Sequence, residues 1–342
     1  MGNRSRFIFV PDYTSHWQRA EKSVAEIQHQ GIIDQELSGL RLDQALARLF
    51  ADYSRSRLQA WIRDGRVEVD GEVRRPRDKV WAGERVLLQA VPETDQRCEP
   101  EDIPLHIVHK DEHILVIDKP AGLVVHPGAG NRTGTVQNAL LHHDGDAAAL
   151  PRAGIVHRLD KDTTGLMVVA RSHVAHKHLV EALQARQIKR EYLALVVGLP
   201  TAGGTVDAPI GRHPGRRVCM AVVQGGKHAV THYRINERFR MHTLLDVQLE
   251  TGRTHQIRVH MAHIHYPLVG DTVYGGRVKL PRDASQATVQ ALQQFPRQAL
   301  HARRLSLNHP VTGEPLTWES PIPGDLARLI EQLRLDRAEH ER

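Results

Sequence analysis

The stretch from Gly154 to Arg171, GIVHRLDKDTTGLMVVAR, constrains the fold of this chain more than any other. A short apolar run is followed by a charged turn and by a second apolar run, Gly165 to Ala170, whose β-branched and aliphatic residues are typical of a buried strand. Two strands joined by such a turn would place Asp160 at a strand end, where rigid neighbours can orient its side chain. The pattern predicts a site of chemistry, but it does not distinguish Asp160 from Asp162.

The length and composition limit the class of protein. The chain has 342 residues, which is too long for one small core and predicts two units. Lysine and arginine total 46 against 40 acidic residues, and the net charge of +6 suits a nucleic-acid partner, although ordinary solubility explains it as well. Cys98 and Cys219 show no paired pattern, so we expect no disulfide and a cytoplasmic location. No run approaches the roughly 18 apolar residues of a membrane helix, and we expect no membrane association.

The first part of the chain is predicted to contain an extension and a small domain. Residues 1–37 show no clear hydrophobic period and are expected to form a flexible extension, with at most a short helix from Ser15 to His29. From Leu40 the pattern becomes regular, because two short amphipathic helices precede a hairpin at Asp70-Gly71 and a further strand. We therefore expect a folded unit over residues 38–95.

Basic side chains are frequent in this unit. A solvated basic surface is one interpretation of them, and a module that contacts nucleic-acid phosphates is the other. The arginines that would serve the second interpretation are Arg41, Arg55, Arg57 and Arg63.

The rest of the chain is predicted to form a linker, one large domain and a tail. Residues 96–105 are rich in proline and charge, residues 106–330 alternate many strands with few helices, and residues 331–342 are charged. This pattern predicts an α+β domain with mainly antiparallel strands. Ser172 is predicted to cap a helix that runs to Gln187, with Val174, Leu179, Val180 and Leu183 inward. Strands are predicted at KREYLALVVG, 218–224, 228–235 and 242–250, followed by a helix over 252–265. Residues from Pro281 to Pro296 are predicted to form an insertion or a long loop, and a strand pair around Pro310 to Pro315 precedes a short helix from about Asp325.

Residue spacing disfavours several kinds of site. The histidines between residues 255 and 265 fit neither the zincin pair nor a Cys/His finger, so we predict no metal site. No G-x-S-x-G nucleophile elbow occurs, and the glycine-rich loop at 128–134 lacks the spacing of a dinucleotide site. Carboxylate chemistry remains, although a lone aspartate in a turn is more often a turn former.

Four segments, in order, resemble the motifs of the RluA family of pseudouridine synthases: DKPAGLVVHPGAGN, HRLD with KDTTGLMVVA, KREYLALVVG, and ETGRTHQIRVHMAHIHYPLVGDTVYGG. They span most of residues 105–323. RLDQALARLF, YSRSRLQAWIRDGRVEVDG and GERV, within about residues 38–92, resemble an S4-type RNA-binding domain. The resemblance implies a catalytic α+β domain built on a mainly antiparallel sheet with flanking helices, preceded by a small S4-type α/β domain.

The resemblance also implies an activity and a partner. Members of this family isomerise uridine in RNA to pseudouridine, and the members most similar to this chain act on 23S ribosomal RNA of the large subunit, at the stem-loop called helix 69. The resemblance implies no cofactor and no metal. We expect a monomer whose partner is 23S ribosomal RNA or its precursor.

Residue roles follow from motif position in the same family. The resemblance assigns Asp160 as the catalytic residue, which either attacks C1′ or removes a proton from C2′, and the sequence does not choose between the two. It assigns Tyr192 to stack on the target base and to help take the C5 proton, and Arg258 to pair with the carboxylate and hold it ionised. Further candidates for RNA contact or site support are Ile257 against the base, Arg158 in the RNA stack once the uridine has flipped out, and His157, Arg253, Lys119 and His126.

Two rival functions use some of the same features. A non-catalytic RNA-binding factor for ribosome assembly would use the basic S4-type unit, but it would not need Asp160, Tyr192 and Arg258 together. A glycosidase would need two carboxylates flanking the sugar, and the sequence shows no obvious candidate for the second one. The function implied by the resemblance, an isomerase acting on RNA, is therefore favoured over both rivals.

Overall fold

A computed structural model describes residues 27–50, 53, 55–90, 98–128, 130–216 and 219–341. The chain divides into two compact units, Met1–Arg97 and Cys98–Arg342. Each unit has its own sheet and its own hydrophobic core. No helix within the described ranges is both long and apolar enough to cross a bilayer.

The first unit combines a four-stranded antiparallel sheet with two helices. The helices are α1 (Leu42–Leu49) and α2 (Arg55–Arg63), and the strands are β1 (Ile27–Ile32), β2 (Val67–Val69), β3 (Glu72–Val73) and β4 (Arg85–Ala90), in the order β1-β4-β2-β3. Asp70 and Gly71 have φ angles of 52° and 82°, as a two-residue hairpin turn requires. The two predicted helices, the hairpin and the final strand are confirmed.

The beginning of this unit differs from its prediction. Strand β1 occupies the end of the segment predicted to be helical, and the earlier part of that helix lies outside the described residues. Gly31 permits the strand, because a Cβ there would lie 2.6 Å from Cδ2 of Leu49 at the end of α1. Ile33 and Leu37 are buried in the core of the unit. The prediction of a flexible extension over residues 1–37 is therefore wrong from β1 onward.

The second unit is built on a nine-stranded mixed sheet that is antiparallel except where β14 pairs with β7. Its strands are β5 (His106–Lys110), β6 (Ile114–Lys119), β7 (Thr164–Ala170), β8 (Lys189–Val197), β9 (Gly204–Asp207), β12 (Val230–Arg238), β13 (His242–Leu249), β14 (Leu300–Asn308) and β15 (Pro315–Glu319). The order is β5-β6-β7-β14-β8-β13-β12-β9, and β15 pairs with β14. A separate hairpin contains β10 (Ile210–Arg212) and β11 (Met220–Val222).

Helices pack on both faces of this sheet. They are α3 (Val136–His143), α4 (His173–Gln184), α5 (Gln256–His263), α6 (Gln286–Gln294) and α7 (Gly324–His340), with short 3₁₀ turns at Gly145–Ala149 and Pro151–Gly154. Even-numbered residues of β8 from Tyr192 to Val196 join the core under α3 and α5, whereas odd-numbered residues from Leu193 to Val197 join the core under α6 and α7. The predicted α+β class with a mainly antiparallel sheet is confirmed.

Helix α4 follows its prediction at the start and departs from it in one residue. The Ser172 hydroxyl accepts a hydrogen bond from the N–H of Ala175 at 3.2 Å, which confirms the predicted cap. Val174 was predicted to face inward, but it is 63% exposed. The buried stripe is formed instead by Ala175, Leu179 and Ala182, so the helix is rotated away from Val174.

Two segments predicted to be irregular are helical. Helix α6 lies inside the predicted long loop, where Ser285 caps it by accepting from the N–H of Thr288 and Leu292 is buried in the core. Helix α7 continues to His340 and so includes most of the segment predicted to be a charged tail, residues 331–342. Leu333 explains the continuation, because it is buried in the same core as the earlier leucines of α7.

Three other predicted segments are shorter or better packed than expected. The first apolar run of the opening stretch makes only an isolated bridge between Ile155 and Val169, and the helix predicted over 252–265 begins at Gln256. The described part of the predicted linker, residues 98–105, is bound to the second unit, since the Glu101 carboxylate accepts from the N–H of Gly134 at 3.1 Å.

Candidate active site

A cavity of about 560 Å³ borders the face of the large sheet that carries Tyr192. This size lies in the usual range for ligand sites. Among the residues that the structure describes, its wall includes Asp160 but not Asp162, so the geometry separates two carboxylates that periodicity could not. The predicted site residues that line it are His126, His157, Arg158, Asp160, Tyr192, Arg253, Ile257 and Arg258.

Asp160 lies in a tight turn that leads into β7. The N–H of Thr163 donates to the carbonyl of Asp160 at 3.1 Å. From the other side, the Arg297 guanidinium donates to the carbonyl of Asp162 at 3.3 Å, and the Gln298 amide donates to the Thr163 hydroxyl at 3.1 Å. These bonds hold the turn while the Asp160 side chain remains 15% exposed on the cavity wall.

Lys119 supports this turn, and of its two predicted roles, RNA contact and site support, its contacts fit the second. Its side chain is buried, and Nζ donates to the carbonyl oxygens of Pro120, Leu123 and Lys161 at 2.7, 2.9 and 2.8 Å. Three acceptors match the three donors of an ammonium group. Burial lowers the pKa of Lys119 to about 7, and nearby carboxylates oppose that shift.

Arg258 connects two carboxylates. Its Nη1 donates to Oδ2 of Asp160 at 3.2 Å, and its Nε and Nη2 donate to the two carboxylate oxygens of Asp271 at 2.7 and 2.9 Å. Asp271 is fixed in turn by the N–H groups of Val273 and Tyr274. The bidentate pair sets the plane of the guanidinium, so that its remaining nitrogen points at Asp160.

The charges in this group reinforce one another. Burial alone would lower the pKa of Arg258, but the hydrogen bonds and charge of Asp271, followed by the charge of Asp160, raise it above its ordinary value. Burial would raise the pKa of Asp271, but its hydrogen bond with Arg258 and the charge of Arg258 lower it. Arg258 is therefore a permanent cation beside Asp160.

Tyr192 and Ile257 form an apolar part of the wall next to Asp160. Both belong to the core on this face of the sheet and both border the cavity. Tyr192 is 6% exposed, and burial raises the pKa of its phenol, with the charge of Arg190 acting against the shift and that of Asp160 adding to it. The hydroxyl is therefore neutral at ordinary pH, and its ring presents an aromatic surface to the cavity.

His255 and Tyr274 complete the surroundings of the carboxylate. His255 has a left-handed backbone (φ 57°), and its Nδ1 lies 2.8 Å from the Tyr274 hydroxyl. The hydroxyl also accepts from the N–H of Met220 at 2.9 Å, so its own proton is free to be donated to Nδ1. The Nε2 of His255 then faces Oδ1 of Asp160 at 3.9 Å, and the Tyr274 ring lies 5.0 Å from the guanidinium carbon of Arg258.

Comparison with known proteins decides the family. The sequence profile described as RNA pseudouridylate synthase matches residues 113–263, which contain Asp160, Tyr192 and Arg258, and the S4 domain profile matches residues 40–86. The chain is 61% identical over 311 residues to ribosomal large subunit pseudouridine synthase D of Pseudomonas aeruginosa. The matched region covers 91% of this chain and 97% of that protein. The chain belongs to the RNA pseudouridylate synthase family.

Other relatives agree with this assignment. The synthase is 58% identical over 316 residues to ribosomal large subunit pseudouridine synthase D of Escherichia coli K12, which covers 92% of this chain and 97% of that protein. A solved structure, human RNA pseudouridylate synthase domain containing 4, is 28% identical with a TM-score of 0.52 and covers 67% of this chain and 93% of that one. The family and fold indicated by the four motifs and the S4-type segments are confirmed.

The remaining predicted site residues of the synthase occupy different environments. Arg158 and Arg253 are exposed at the cavity wall, and His126 is half-buried there. His157 also borders the cavity, but its Nε2 accepts from the N–H of Val168 at 3.1 Å. Burial, followed by the charge of Arg190, lowers the pKa of His157 to about 3, so this residue is neutral and supports β7.

The predicted arginines of the first unit are only partly described. Arg41 is exposed and its Nε lies 3.1 Å from Oδ1 of Asp43, and Arg63 is exposed at the end of α2. The side chains of Arg55 and Arg57 lie outside the described residues. Both side chains are exposed, and their role in RNA binding stays a prediction.

Sequence reasoning missed several residues of the synthase site. The motifs predict no role for Asp271 or Tyr274, although both lie in the GDTVYGG part of a quoted motif. His255 had been grouped with the other histidines of that segment. His260 differs from it, because it is buried between the Thr231 hydroxyl and the Ala208 carbonyl. In the described part of the chain, no three His, Cys, Asp or Glu side chains are placed to hold a metal ion.

Proposed function

We propose that this synthase converts uridines of large-subunit ribosomal RNA to pseudouridine, with Asp160 as the reacting carboxylate. The observation that carries the proposal is the ion pair between Asp160 and Arg258 at the wall of a cavity lined by Tyr192. The substrate is supported by the two relatives at 61% and 58% identity, which are named for the large ribosomal subunit. As the site within that RNA we propose the stem-loop called helix 69 of the 23S species.

The reaction is an isomerisation. The bond between N1 and C1′ of uridine breaks, the uracil turns, and a bond forms between C5 and C1′. The proton on C5 leaves, and N1 gains one, so that no electrons enter or leave. The chain therefore needs a carboxylate near the sugar, a surface for the detached base and a group near C5, which Asp160, Tyr192 and the cavity supply.

Asp160 serves either of two routes at the sugar. As a nucleophile it attacks C1′ and forms a glycosyl ester, and as a base it removes the C2′ proton. Both routes need an ionised carboxylate in a fixed position. Arg258 supplies the opposite charge, and the turn held by Lys119, Arg297 and Gln298 supplies the position.

The uridine must leave its stack to reach this carboxylate. Arg158 is exposed on the cavity wall two residues before Asp160, so we propose that it occupies the space left in the RNA. The flipped base then stacks on Tyr192 and Ile257. We propose that the neutral Tyr192 hydroxyl helps to take the C5 proton as a relay, which accepts that proton while it passes its own to solvent. We further propose that the enzyme acts as a cytoplasmic monomer without a cofactor.

Release of a label from C5 tests this function directly. RNA transcribed with tritium at uridine C5 should lose tritium when the enzyme acts on the large-subunit sequence, because the C5 proton is replaced by the bond to C1′. A small-subunit transcript made in the same way is the matched control and should lose none. Absence of release from the large-subunit transcript, or equal release from both, would contradict the proposed substrate.

The S4-type unit should contribute affinity and salt dependence. Removing residues 1–97 is expected to weaken binding to large-subunit RNA by about tenfold or more and to flatten the plot of log K against log salt, since each lost phosphate contact lowers the slope by about 0.7 to 0.9. The remaining unit has its own core and should keep its unfolding transition. In the full chain, Arg63→Glu should also weaken binding to large-subunit RNA and flatten the salt plot, but by a smaller amount than the truncation.

Binding titrations at several salt concentrations measure both quantities. Truncated enzyme that binds the RNA as tightly as the full chain at every salt concentration would show that the S4-type unit has no such role.

A further inference from the structure

Arg190 is a buried cation that the proposed mechanism does not use. It is 8% exposed, lies near the start of β8, and borders the cavity. None of the hydrogen bonds or ion pairs among the described residues involves its side chain, and its Nε is buried without a partner. Because a buried and unpaired charge is unfavourable, its partner is expected to come from outside the chain.

The described part of the cavity wall offers Arg190 no unpaired carboxylate. Among the described residues the acidic side chains of the cavity wall are Asp160 and Glu250. Asp160 is paired with Arg258, and Glu250 is paired with Arg186 and accepts from His232 at 2.7 Å. No described acidic side chain of this wall is therefore left to pair with Arg190, and an anionic group of the ligand could do so.

Gly252 provides the space in which the guanidinium of Arg190 lies. A Cβ on Gly252 would lie 2.8 Å from Nη1 of Arg190 and 3.8 Å from its central carbon. The backbone of Gly252 does not have the positive φ that favours glycine. The glycine is therefore explained by the close approach of the Arg190 guanidinium, which a Cβ would obstruct. Gly252 and the adjacent Arg253 are exposed, which places the end of Arg190 at the edge of the cavity.

We propose that Arg190 binds a backbone phosphate of the nucleotide whose uracil stacks on Tyr192. Arg190 and Tyr192 are two residues apart on one strand, so they face the same side of the sheet about 6.6 Å apart, which is the scale of one nucleotide. Phosphates carry the charge of RNA, and a guanidinium binds a phosphate through paired hydrogen bonds. The assignment rests on the proposed function, because it takes the flipped uridine as the occupant of the cavity.

Arg190→Met in the full chain tests the role of the charge. Methionine keeps most of the apolar stem, and no protein partner is lost, so the unfolding temperature should be unchanged or higher. The Kd for large-subunit RNA and the KM should rise about 10- to 100-fold, the range for a hydrogen bond to a charged group, while kcat stays near the wild-type value. Arg328→Met, at an exposed arginine of α7, is the matched control and should change none of these.

A methylphosphonate scan of the RNA identifies the phosphate. Replacing one phosphate at a time by an uncharged methylphosphonate should reveal a position beside the target uridine where wild-type enzyme loses affinity and Arg190→Met loses none. Gly252→Ala should weaken binding of the native RNA, because its Cβ displaces the guanidinium. Arg190→Lys should recover part of the affinity, since it restores the charge without the planar pair of donors.

The outcomes separate this inference from the proposed function. If wild-type enzyme releases no C5 label from large-subunit RNA, the proposed function fails, and the RNA titrations still report on Arg190. If wild-type enzyme is active, and Arg190→Met has the same Kd for RNA and the same methylphosphonate scan as wild-type enzyme, the phosphate site alone is overturned. A fall in kcat at unchanged KM would also overturn it, because the charge would then act on the reacting uracil and not on a phosphate.

Discussion

Asp160→Asn should reduce pseudouridine formation by about 10³-fold or more, because neither a nucleophile nor a base remains at the sugar. Asparagine has nearly the same shape as aspartate, so the turn held by Lys119, Arg297 and Gln298 should persist. The amide cannot form a stable ester with C1′ and cannot remove the C2′ proton. The rate of C5 label release under single-turnover conditions measures the loss.

The controls for this change are binding and a neighbouring carboxylate. RNA affinity should stay close to wild type, since phosphate contacts supply most of it. Asp162→Asn should leave the rate near wild type, because in the described structure Asp162 does not border the cavity and offers its backbone carbonyl, not its carboxylate, to Arg297. Undiminished turnover by Asp160→Asn, or an equal loss in Asp162→Asn, would contradict the assignment.

Arg258→Lys should lower both activity and stability although it keeps the charge. The guanidinium makes three hydrogen bonds to two carboxylates, and a single ammonium on a flexible stem cannot place its donors in that planar arrangement. Buried Asp271 would lose part of its bonding, which should cost about 1 to 3 kcal/mol in the free energy of unfolding. A displaced Asp160 should lower kcat by about 10²-fold, the effect of a misplacement near 1 Å.

Asp271→Asn separates the positioning of Arg258 from its charge. It leaves Arg258 beside Asp160, but the amide nitrogen of asparagine cannot accept the second hydrogen bond of the bidentate pair. Because the guanidinium itself is kept, activity should fall less than in Arg258→Lys. Urea unfolding and label release, measured on both variants and on the double variant, report how strongly the two residues act together. Wild-type kcat and stability in Arg258→Lys would show that the planar pair has no function.

Locally determined structure was predictable from the sequence. The hairpin at Asp70-Gly71 and the Ser172 cap depend on residues a few positions apart, and both are present. Strand β1 and helix α6 were missed, because β1 depends on pairing with β4 and α6 on packing of Leu292 in a distant core. Patterns within a short window do not contain such contacts.

For the site as well, the sequence predicted individual residues, whereas only the fold shows their contacts. Asp160, Tyr192 and Arg258 were named through motifs, yet periodicity alone could not separate Asp160 from Asp162. Arg258 and Asp160 are 98 positions apart, and only the fold shows their 3.2 Å contact. The burial of Lys119 under three carbonyls, and that of Arg190 without a hydrogen-bond partner for Nε among the described residues, likewise depend on chain segments that meet in space.

Mapping of pseudouridines in cells tests the central claim most directly. Large-subunit ribosomal RNA should be taken from cells that carry either the wild-type gene or the Asp160→Asn form in its place, and every pseudouridine should be located by base-resolution chemistry. The account predicts that a set of positions in the helix 69 stem-loop reads as uridine in the Asp160→Asn cells alone. Identical maps from the two strains would contradict it.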